Sequence, residues 1–330
     1  GDGNTNNNDN EGKPDDDGKI VDGKADAWNY TNNPSRFQLD FTYKYDELKD
    51  YTEGRAEQTP WPSDYWSYYE DSTNVRYHGS NVLSPVEKYD QAFNNWTPNM
   101  ALLPLDVHAD CSNTYDGTII DTHDEYYDHL GPAASWQHRY KGIYRARNGV
   151  DDDNDGKVDE CGGDDYDGIE TWWGLCHAWA PAAIIEPEPV KDVTINGVTF
   201  TVSDIKALLI TMYDKNSALM IGGRCNEKEI ERDPDTGEIL LDQCKDTNAG
   251  TWHVVAVNML GIMKRAFAED RTANYQVWNQ PVYRYRINEQ REVDEAEAMT
   301  LLNRAGENYK DVFDSPQAER WVYVDMHSYY

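Results

Sequence analysis

Basic residues are scarce in this chain of 330 residues. It has 30 Lys and Arg side chains against 61 Asp and Glu, which gives a formal net charge of −31 at pH 7. A surface this acidic repels phosphate backbones and anionic lipid headgroups. We therefore expect no nucleic-acid or membrane partner. The charge favours cationic partners and metal ions instead.

Long apolar runs are also missing. No stretch approaches the roughly 20 apolar residues that a membrane-spanning helix needs, and the first residues lack the apolar core of a secretion signal. If the protein is exported, we expect its signal to have been removed already. Hydrophobic residues still make up 38% of the sequence and include 11 Trp and 23 Tyr. This content supports a substantial core and excludes a chain that is disordered throughout.

Cysteines are few, and their number is odd. The five are Cys111, Cys161, Cys176, Cys225 and Cys244. The simplest pairing joins Cys225 to Cys244 and Cys111 to Cys161, which leaves Cys176 as a reactive thiol. A latent form with Cys176 in a disulfide is an alternative. The acidic, Asn-rich N-terminus favours a secreted, disulfide-bonded protein over a cytosolic one with five reduced cysteines.

The composition changes near residue 28. Residues 1–27 are almost devoid of apolar side chains and read as an acidic linker or tail. We expect residues 28–330 to form one large α+β catalytic domain with long irregular segments. The local signals in this region are a capping box at 84–87, a hairpin turn at 196–197, helices after Ser203, after Gly250 and over 294–304, and strands over 275–279 and 321–326.

An acidic loop with the spacing of a calcium site lies at 148–168. Its predicted ligands are Asp151, Asp153, Asp155, the backbone carbonyl of Lys157, and Asp159. Position 12 of the loop is Gly162 where an EF-hand has a bidentate Glu, so we expect Glu160 or Asp164 to supply further oxygens. The sequence therefore predicts Ca²⁺ here, and a merely solvated acidic loop is the alternative. Because the loop ends just before Trp172, the ion would order the segment that carries Cys176.

Cys176 lies in the stretch WWGLCHAWAPAA, residues 172–183. The small residues after it are able to begin a helix, and a helix N-terminus stabilises a thiolate through unpaired N–H groups and the helix dipole. Cys176 is therefore the predicted nucleophile, although a buried structural cysteine is the alternative. The backbone N–H of Cys176 would form an oxyanion hole together with a side chain of Trp172, Trp173 or Gln58.

His253 is the predicted general base. His177 adjoins the cysteine, but neighbours on a helix point about 100° apart, which places it poorly. His253 begins an apolar element after a small-residue turn, as the base does after the nucleophile helix in papain-like and transglutaminase-like folds. A satisfied core histidine is the alternative. A third catalytic residue, which would orient the imidazole of His253, is expected from the next strand. Asn279 is preferred and Asp270 is the second choice.

Seven blocks in order along the chain carry a family resemblance. They are GRAEQTPWPSDYW (54–66), SPVEKY (84–89), WWGLCHAWAPAA (172–183), EPEP (186–189), NGVTF (196–200), GTWH (250–253) and YQVWNQPV (275–282). Together they resemble the elicitor-type transglutaminases of oomycetes and their bacterial relatives, and VWNQPV (277–282) resembles the start of the peptide that plants recognise in that family.

The resemblance implies a distantly papain-like, transglutaminase-like fold and a calcium-stimulated protein-glutamine γ-glutamyltransferase. Cys176 would be its nucleophile and His253 its base. Protein or peptide substrates would supply Gln as the acyl donor and Lys or a small amine as the acceptor. The same machinery would serve a papain-like cysteine protease or a glutamine deamidase, and a non-catalytic calcium-binding extracellular protein is a further alternative.

Overall fold

The computed structural model describes residues 20–21, 24–25, 32–107, 123–143, 169–232, 234, 239–244, 247–272, 275–303 and 320–330. The predicted calcium ligands from Asp151 to Glu160 lie outside these residues, as do Cys111 and Cys161. The chain divides into two compact units. We call Pro60–Asn216 the central unit, and Gly1–Thr59 with Ser217–Tyr330 the terminal unit.

Both units combine helices with antiparallel strands, which confirms the predicted α+β class. The α-helices of the described residues are α1 (Tyr45–Leu48), α2 (Pro85–Phe93), α3 (Asp124–Asp128), α4 (Pro132–Lys141), α5 (Cys176–Ile185), α6 (Val202–Tyr213), α7 (Ala249–Ala256) and α8 (Glu295–Asn303). The strands are β1 (Ile20–Val21), β2 (Lys24–Ala25), β3 (Glu53–Arg55), β4 (Val193–Ile195), β5 (Val198–Phe200), β6 (Phe267–Asp270), β7 (Asn279–Val282), β8 (Arg284–Val293) and β9 (Trp321–Tyr329). Shorter helical turns are the 3₁₀ segments Pro34–Phe37, Tyr68–Glu70, Ser72–Asn74 and Asp242–Cys244, and the π segment Val257–Ile262. No helix within the described stretches has the length and apolarity to cross a membrane.

In the central unit, α5 and α6 share a core with an aromatic segment that precedes them in sequence. The buried members of this core are Trp61, Trp66, Leu175, Ala178, Ala182, Ala183, Ala207 and Ile210. Alanines on facing positions let the two helices approach closely while the tryptophans fill the remaining volume. The core therefore lies directly behind the helix that begins at Cys176.

The predicted capping box at α2 is confirmed. The Ser84 side chain accepts from the Glu87 N–H, the Glu87 carboxylate accepts from the Ser84 N–H, and Pro85 opens the helix. The aromatic side chains of Tyr89 and Phe93 on α2 are exposed. The buried face is charged instead, and each charge there has a partner from elsewhere in the central unit.

The partners of the α2 charges come from three directions. Glu87 forms a two-pronged ion pair with Arg76 at 2.6 and 2.9 Å. Lys88 lies 2.5 Å from a carboxylate oxygen of Asp204. Asp90 accepts the first N–H groups of α4 at 2.8 and 2.9 Å and so caps that helix.

The hairpin β4–β5 turns at Asn196 and Gly197, as predicted; both have positive φ values of 52° and 81°, as a type I′ turn requires. The expected cap of the following helix is wrong by two residues. Thr201 caps α6 and forms a reciprocal capping box with Asp204, and Ser203 lies within the first turn. The carboxylate three residues beyond Thr201 explains the choice, because Ser203 is followed at that spacing by Lys206.

The terminal unit is built around the antiparallel sheet β3-β8-β9. Strand β8 pairs with β9 over nearly its whole length, which confirms the predicted final strand. Strand β3 crosses the π segment at Gly54, where an added Cβ would lie 2.6 Å from the backbone nitrogen of Gly261. A glycine is therefore required at this crossing.

The helical run predicted after Gly250 continues through α7 and the π segment to Ile262, and Phe267 already belongs to strand β6. The buried Asn258 stabilises the π segment: its side chain donates to the carbonyls of Thr42 and Val254, both at 2.8 Å. The predicted disulfide Cys225–Cys244 is present in the same unit. The helix predicted over 294–304 is confirmed as α8.

Candidate functional site

Cys176 is a buried thiol at the first residue of α5. Leu175 precedes it without a side-chain cap, so the helix begins at the cysteine itself. The helix ends at Ile185, directly before the Glu-Pro-Glu-Pro sequence that was predicted to stop it. The sulfur therefore lies at the positive end of a ten-residue helix, where a thiolate is favoured.

Tyr65 fixes the turn that leads into Cys176. The Leu175 N–H donates to the Tyr65 carbonyl at 2.5 Å, and the Tyr65 hydroxyl donates to the Thr171 carbonyl at 3.0 Å. A Cβ at Gly174 would lie 2.5 Å from the Tyr65 ring, so this position needs glycine. The turn is held from both ends by one residue that lies more than a hundred positions upstream.

The far end of α5 is anchored by the same upstream segment. The Trp61 indole donates to the Glu186 carbonyl and the Trp179 indole donates to the Trp61 carbonyl, each at 3.0 Å. Lys206 on α6 donates to Glu188 at 2.6 Å. The block 54–66 is one of the seven motifs that carry the family resemblance. It includes the residues that hold helix α5 at both ends.

The three candidate side chains for the oxyanion hole are placed differently. The Trp172 indole donates to Glu170 Oε2 at 3.2 Å, and its ring meets that of Trp173 edge to face at 6.3 Å. The Trp173 carbonyl accepts from the Tyr68 N–H at 2.8 Å. Gln58, the other candidate, belongs to the terminal unit.

Two tyrosines lie within electrostatic range of Cys176. Burial, with Asp214 and Cys176 adding to it, holds the pKa of Tyr68 well above its usual value. Burial is also the main cause of the raised pKa of Tyr65. Both phenols therefore stay protonated at physiological pH and add no charge near the thiol.

The His177 side chain belongs to an ion-pair cluster with Asp214 and Lys141. Its Nε2 lies 3.0 Å from Asp214 Oδ1, which also receives a 2.7 Å contact from Lys141 Nζ. Burial opposes the Asp214 carboxylate, but the hydrogen bonds from His177 and Lys141 outweigh it and hold the pKa of Asp214 below its usual value. This carboxylate is therefore ionised and orients the His177 ring.

His253 lies in the middle of α7 in the terminal unit. The helix start is held by Asn248, whose side chain accepts from the Thr251 N–H at 2.7 Å. Burial lowers the pKa of His253 below its ordinary value, and the Gln290 side chain partly offsets this. Its Nε2 atom is buried and has no hydrogen-bond partner among the described residues. The imidazole is thus neutral at pH 7.

Trp252, the neighbour of His253, donates to Glu269 Oε2 at 2.8 Å. Burial raises the pKa of Glu269, and the hydrogen bond from Trp252 partly counteracts it. This contact ties α7 to strand β6 and fixes the rotation of the helix that carries His253. Sequence patterns do not predict this contact, because 17 positions separate the two residues.

The residues predicted to orient the imidazole, Asp270 and Asn279, lie where strands β6 and β7 meet the loop that joins them. Asp270 and Asn279 are opposite each other in register. Asp270 Oδ1 accepts from the Trp278 N–H at 2.8 Å and from the Thr272 N–H at 3.3 Å, so this carboxylate organises the loop. The expected strand over 275–279 is displaced: Asn279 begins the strand instead of ending it. Sequence reasoning missed Gln290 on β8, which reads as part of a charged, solvated strand.

The predicted metal ligands are not among the described residues, and within those residues no group of three or more His, Cys, Asp and Glu is arranged to hold a metal ion. Of the predicted catalytic residues, Cys176, Trp172 and Trp173 belong to the central unit, whereas His253, Asp270 and Asn279 belong to the terminal unit.

Comparison with known proteins identifies the family to which the chain belongs. The model of the transglutaminase elicitor family matches residues 34–102 and 145–324. No curated protein sequence matches. The crystal structure of the GP42 transglutaminase from Phytophthora sojae is similar, with a TM-score of 0.54 and 26% sequence identity over 88% of this chain and 70% of that chain. Because the family model covers most of the sequence, the resemblance drawn from its motifs is confirmed, and the chain belongs to the transglutaminase elicitor family.

Proposed function

We propose that this protein is a protein-glutamine γ-glutamyltransferase with Cys176 as its nucleophile and His253 as its general base and acid. The main support for this proposal is a buried thiol at the first residue of a helix, in a chain of the transglutaminase elicitor family. The GP42 transglutaminase, a structure of similar fold, supports the same chemistry. Gln side chains of proteins or peptides are the acyl donors, and Lys side chains or small amines are the acceptors.

The first half-reaction forms a thioester. Neutral His253 takes the proton of the Cys176 thiol, the resulting thiolate attacks the γ-carboxamide carbon of a substrate Gln, and the carbonyl oxygen becomes an oxyanion. The backbone N–H of Cys176 stabilises this charge together with the indole N–H of Trp173, or with that of Trp172 if it exchanges its bond to Glu170 for one to the oxyanion. The imidazolium of His253 then gives its proton to the nitrogen, the C–N bond breaks, and ammonia leaves.

The second half-reaction transfers the acyl group. Neutral His253 takes a proton from the attacking amine, the amine nitrogen bonds to the thioester carbon, and the C–S bond breaks. The products are an isopeptide bond and the regenerated thiolate. Asn279, or Asp270 as the second choice, is the residue predicted from the sequence to orient the imidazole. The acidic surface of the protein attracts Lys-bearing acceptors.

Transfer to an amine, as opposed to hydrolysis, is supported by the surroundings of the thiol. Tyr65, Tyr68, Trp172 and Trp173 place aromatic rings in the segments next to Cys176, and Trp172 is buried. Apolar rings exclude water from a thioester more effectively than they exclude an amine on a long alkyl chain. A deamidase or a protease would instead admit water to the acyl-enzyme.

Calcium stimulation is part of the proposal and rests on the loop spacing in the sequence. The residues that would hold the ion are Asp151, Asp153, Asp155, the Lys157 carbonyl, Asp159 and, as a further ligand, Glu160. Bound there, Ca²⁺ would neutralise their mutual repulsion and order the chain that leads to Trp172. Calorimetric titration of Ca²⁺ into the wild type and into Asp153→Asn/Asp155→Asn tests this directly: equal heats in both proteins would refute the site.

Export is proposed from the disulfide. Cys225 and Cys244 are bonded in the terminal unit, and such bonds persist in oxidising compartments. We therefore place the protein outside the cytosol.

The decisive experiment measures incorporation of a fluorescent primary amine into a Gln-rich protein, with and without calcium. Wild type is compared with Cys176→Ala and with His177→Gln as a matched substitution beside the nucleophile. We expect incorporation by wild type and by His177→Gln, and none by Cys176→Ala. Release of ammonia without incorporation would assign a deamidase, and cleavage of the acceptor protein would assign a protease. Absence of all three would support the non-catalytic calcium-binding protein.

A further inference from the structure

The second half of helix α4 presents two aromatic rings to solvent. Trp136 is 37% exposed and Tyr140 is 65% exposed. Their ring centroids are 5.2 Å apart, and residues four positions apart lie on the same side of a helix, so the rings form one surface. Aromatic side chains are enriched where proteins bind other proteins. This pair is therefore the starting point for a docking surface.

A lysine that follows α6 completes this surface. Lys215 Nζ lies 5.2 Å from the centroid of the Trp136 ring. Lys215 is exposed, and no carboxylate of the described residues forms an ion pair with it. In a chain with a net charge of −31, such a lysine makes a locally positive site on an acidic surface. We call Trp136, Tyr140 and Lys215 the α4 face.

Measured contacts within the central unit connect the α4 face to the nucleophile. Lys141, the last residue of α4, lies 2.7 Å from Asp214 Oδ1, and the same oxygen lies 3.0 Å from His177 Nε2. Asp214 directly precedes Lys215, and His177 directly follows Cys176. The Asp214 side chain is only 4% exposed, so the junction is buried and holds its parts in place. The α4 face therefore lies beside the start of α5.

We propose that the α4 face binds the polypeptide that carries the acyl-donor Gln, and that it selects donors with acidic and apolar side chains close to that Gln. The inference rests on the proposed function, because it takes Cys176 as the residue that attacks the Gln. An extended chain advances about 3.3 Å per residue, and five residues of helix span roughly 8 Å. A few donor residues on one side of the Gln are therefore enough to run along the exposed end of α4.

Charge decides which of the two substrates the α4 face fits. A Lys acceptor has the same sign of charge as Lys215 and is repelled by it. The γ-carboxamide of Gln is neutral, and the residues beside it are free to be acidic. The rings of Trp136 and Tyr140 add the aromatic contact area that contributes most to binding in protein interfaces. Because the acidic remainder of the surface repels acidic flanks, the α4 face also fixes the direction from which the donor approaches.

Peptide binding to Cys176→Ala protein tests the α4 face without turnover. Three peptides share one central Gln and the same apolar flanks, and they carry Glu, Ser or Lys at the remaining positions. Calorimetry gives their Kd with the face intact, with Lys215→Glu and with Trp136→Ala/Tyr140→Ala. Lys191→Glu is the matched control, because it makes the same charge change at an exposed lysine of the central unit that follows the far end of α5.

We expect the Glu peptide to bind the intact face most tightly and the Lys peptide least tightly. Lys215→Glu should reverse this order and weaken binding of the Glu peptide about fivefold, the scale of an exposed charge pair changed from attraction to repulsion. Loss of both rings should weaken binding of all three peptides about tenfold. Lys191→Glu should leave the Kd values unchanged.

The same pattern is expected in turnover by protein with Cys176 intact. The kcat/KM for amine incorporation into the three peptides should change in parallel with their Kd values. The rate with a single blocked Gln, which has no flanking residues to reach the α4 face, should stay constant in every variant. This minimal donor separates a loss of docking from a loss of catalysis or of folding.

Equal effects of Lys215→Glu and Lys191→Glu would overturn the inference, because they would report the overall charge alone. A changed KM for the amine with an unchanged donor Kd would assign the face to the acceptor, and self-association that is lost with the rings would assign it to a second copy of the chain; either result also overturns it. If the double ring variant fails to fold, Tyr140→Ala and Lys215→Glu still decide. Charge-dependent peptide binding by a protein that incorporates no amine would uphold the α4 face and reject the transferase.

Discussion

The indole N–H of Trp61 donates to the backbone carbonyl of Glu186 at 3.0 Å, although 125 positions separate the two residues. Glu186 is the first residue after α5, and its carbonyl has no place in the helix ladder. Trp61 is almost completely buried and also accepts from Trp179 within the helix. The indole and the backbone carbonyl of this one residue therefore hold the helix that starts at Cys176 at two points.

Replacing Trp61 should destabilise the central unit. Trp61→Phe keeps most of the ring but leaves the Glu186 carbonyl without its donor, so we expect a loss of about 1–2 kcal/mol in the free energy of unfolding. Urea denaturation followed by circular dichroism measures it. Trp136→Phe makes the same substitution at a more exposed site and should cost less. Equal losses in the two variants would show that the buried hydrogen bond contributes nothing.

The Arg76–Glu87 pair should be intolerant of losing one partner. Both side chains are buried, and Glu87 also accepts from the Ser84 N–H and the Tyr126 hydroxyl. Glu87→Gln leaves the Arg76 charge buried without its counter-ion, which typically costs 3–5 kcal/mol. The midpoint of urea unfolding measures the loss. The double variant Arg76→Met/Glu87→Gln removes the stranded charge and should recover much of it; no recovery would contradict this explanation.

The two histidines nearest the proposed chemistry should respond differently to the same substitution. His253→Gln removes the general base, so we expect kcat/KM for amine incorporation to fall at least about 100-fold. His177→Gln removes a ring that is bonded to Asp214, and most of the activity should remain. Steady-state rates at fixed calcium compare them. The opposite ranking would transfer the role of base to His177.

The pH dependence of kcat/KM should follow His253. Burial lowers the pKa of this imidazole, so the neutral base persists below the ordinary histidine range. The acid limb of the profile should therefore have a midpoint below about 6.5. Since the unfolded chain binds the proton more readily, acidification through this range should also lower the free energy of unfolding. That loss should be smaller in His253→Gln, and a midpoint above the ordinary value would contradict the buried setting.

Removing the disulfide should loosen the terminal unit. Cys225 and Cys244 are separated by 19 residues, and a closed loop of this size stabilises a fold by about 3 kcal/mol. We expect that loss in Cys225→Ser/Cys244→Ser, measured by urea unfolding. Reduced wild type should have the same midpoint as the variant. A variant as stable as the oxidised wild type would mean that the bond does not restrain the unfolded chain.

Local chemistry explains what the sequence predicted well. The capping box at Ser84, the positive-φ turn at Asn196–Gly197 and the helix stop after Ile185 are each decided within about four residues. The cysteine pair was predictable because its loop is short. The same holds for Cys176, whose position at a helix start follows from the residues beside it.

Long-range partners explain what the sequence could not predict. The buried face of α2 reads as solvent-exposed because Glu87, Lys88 and Asp90 are charged, and their partners come from distant elements. Gln290 was missed for the same reason, since nothing in the sequence of its strand indicates that its side chain influences the pKa of His253 on α7. The choice of Ser203 as the cap of α6 was a local error. Thr201 forms the better cap because the Asp204 side chain accepts from its backbone N–H in return.

The Tyr65 contacts also bear on how the nucleophile turn is made during synthesis. Tyr65 meets Thr171 across 106 positions, and its carbonyl takes the N–H of Leu175. Tyr65 is therefore synthesised long before the turn at Gly174, and the turn closes on it only when the chain between them has brought the two segments together. Contacts of such high sequence separation form slowly, because the loop entropy must be lost before the contact is gained. The nascent chain thus carries Cys176 for a period before its contacts with the segment around Tyr65 have formed, so closure of this turn is a late folding event.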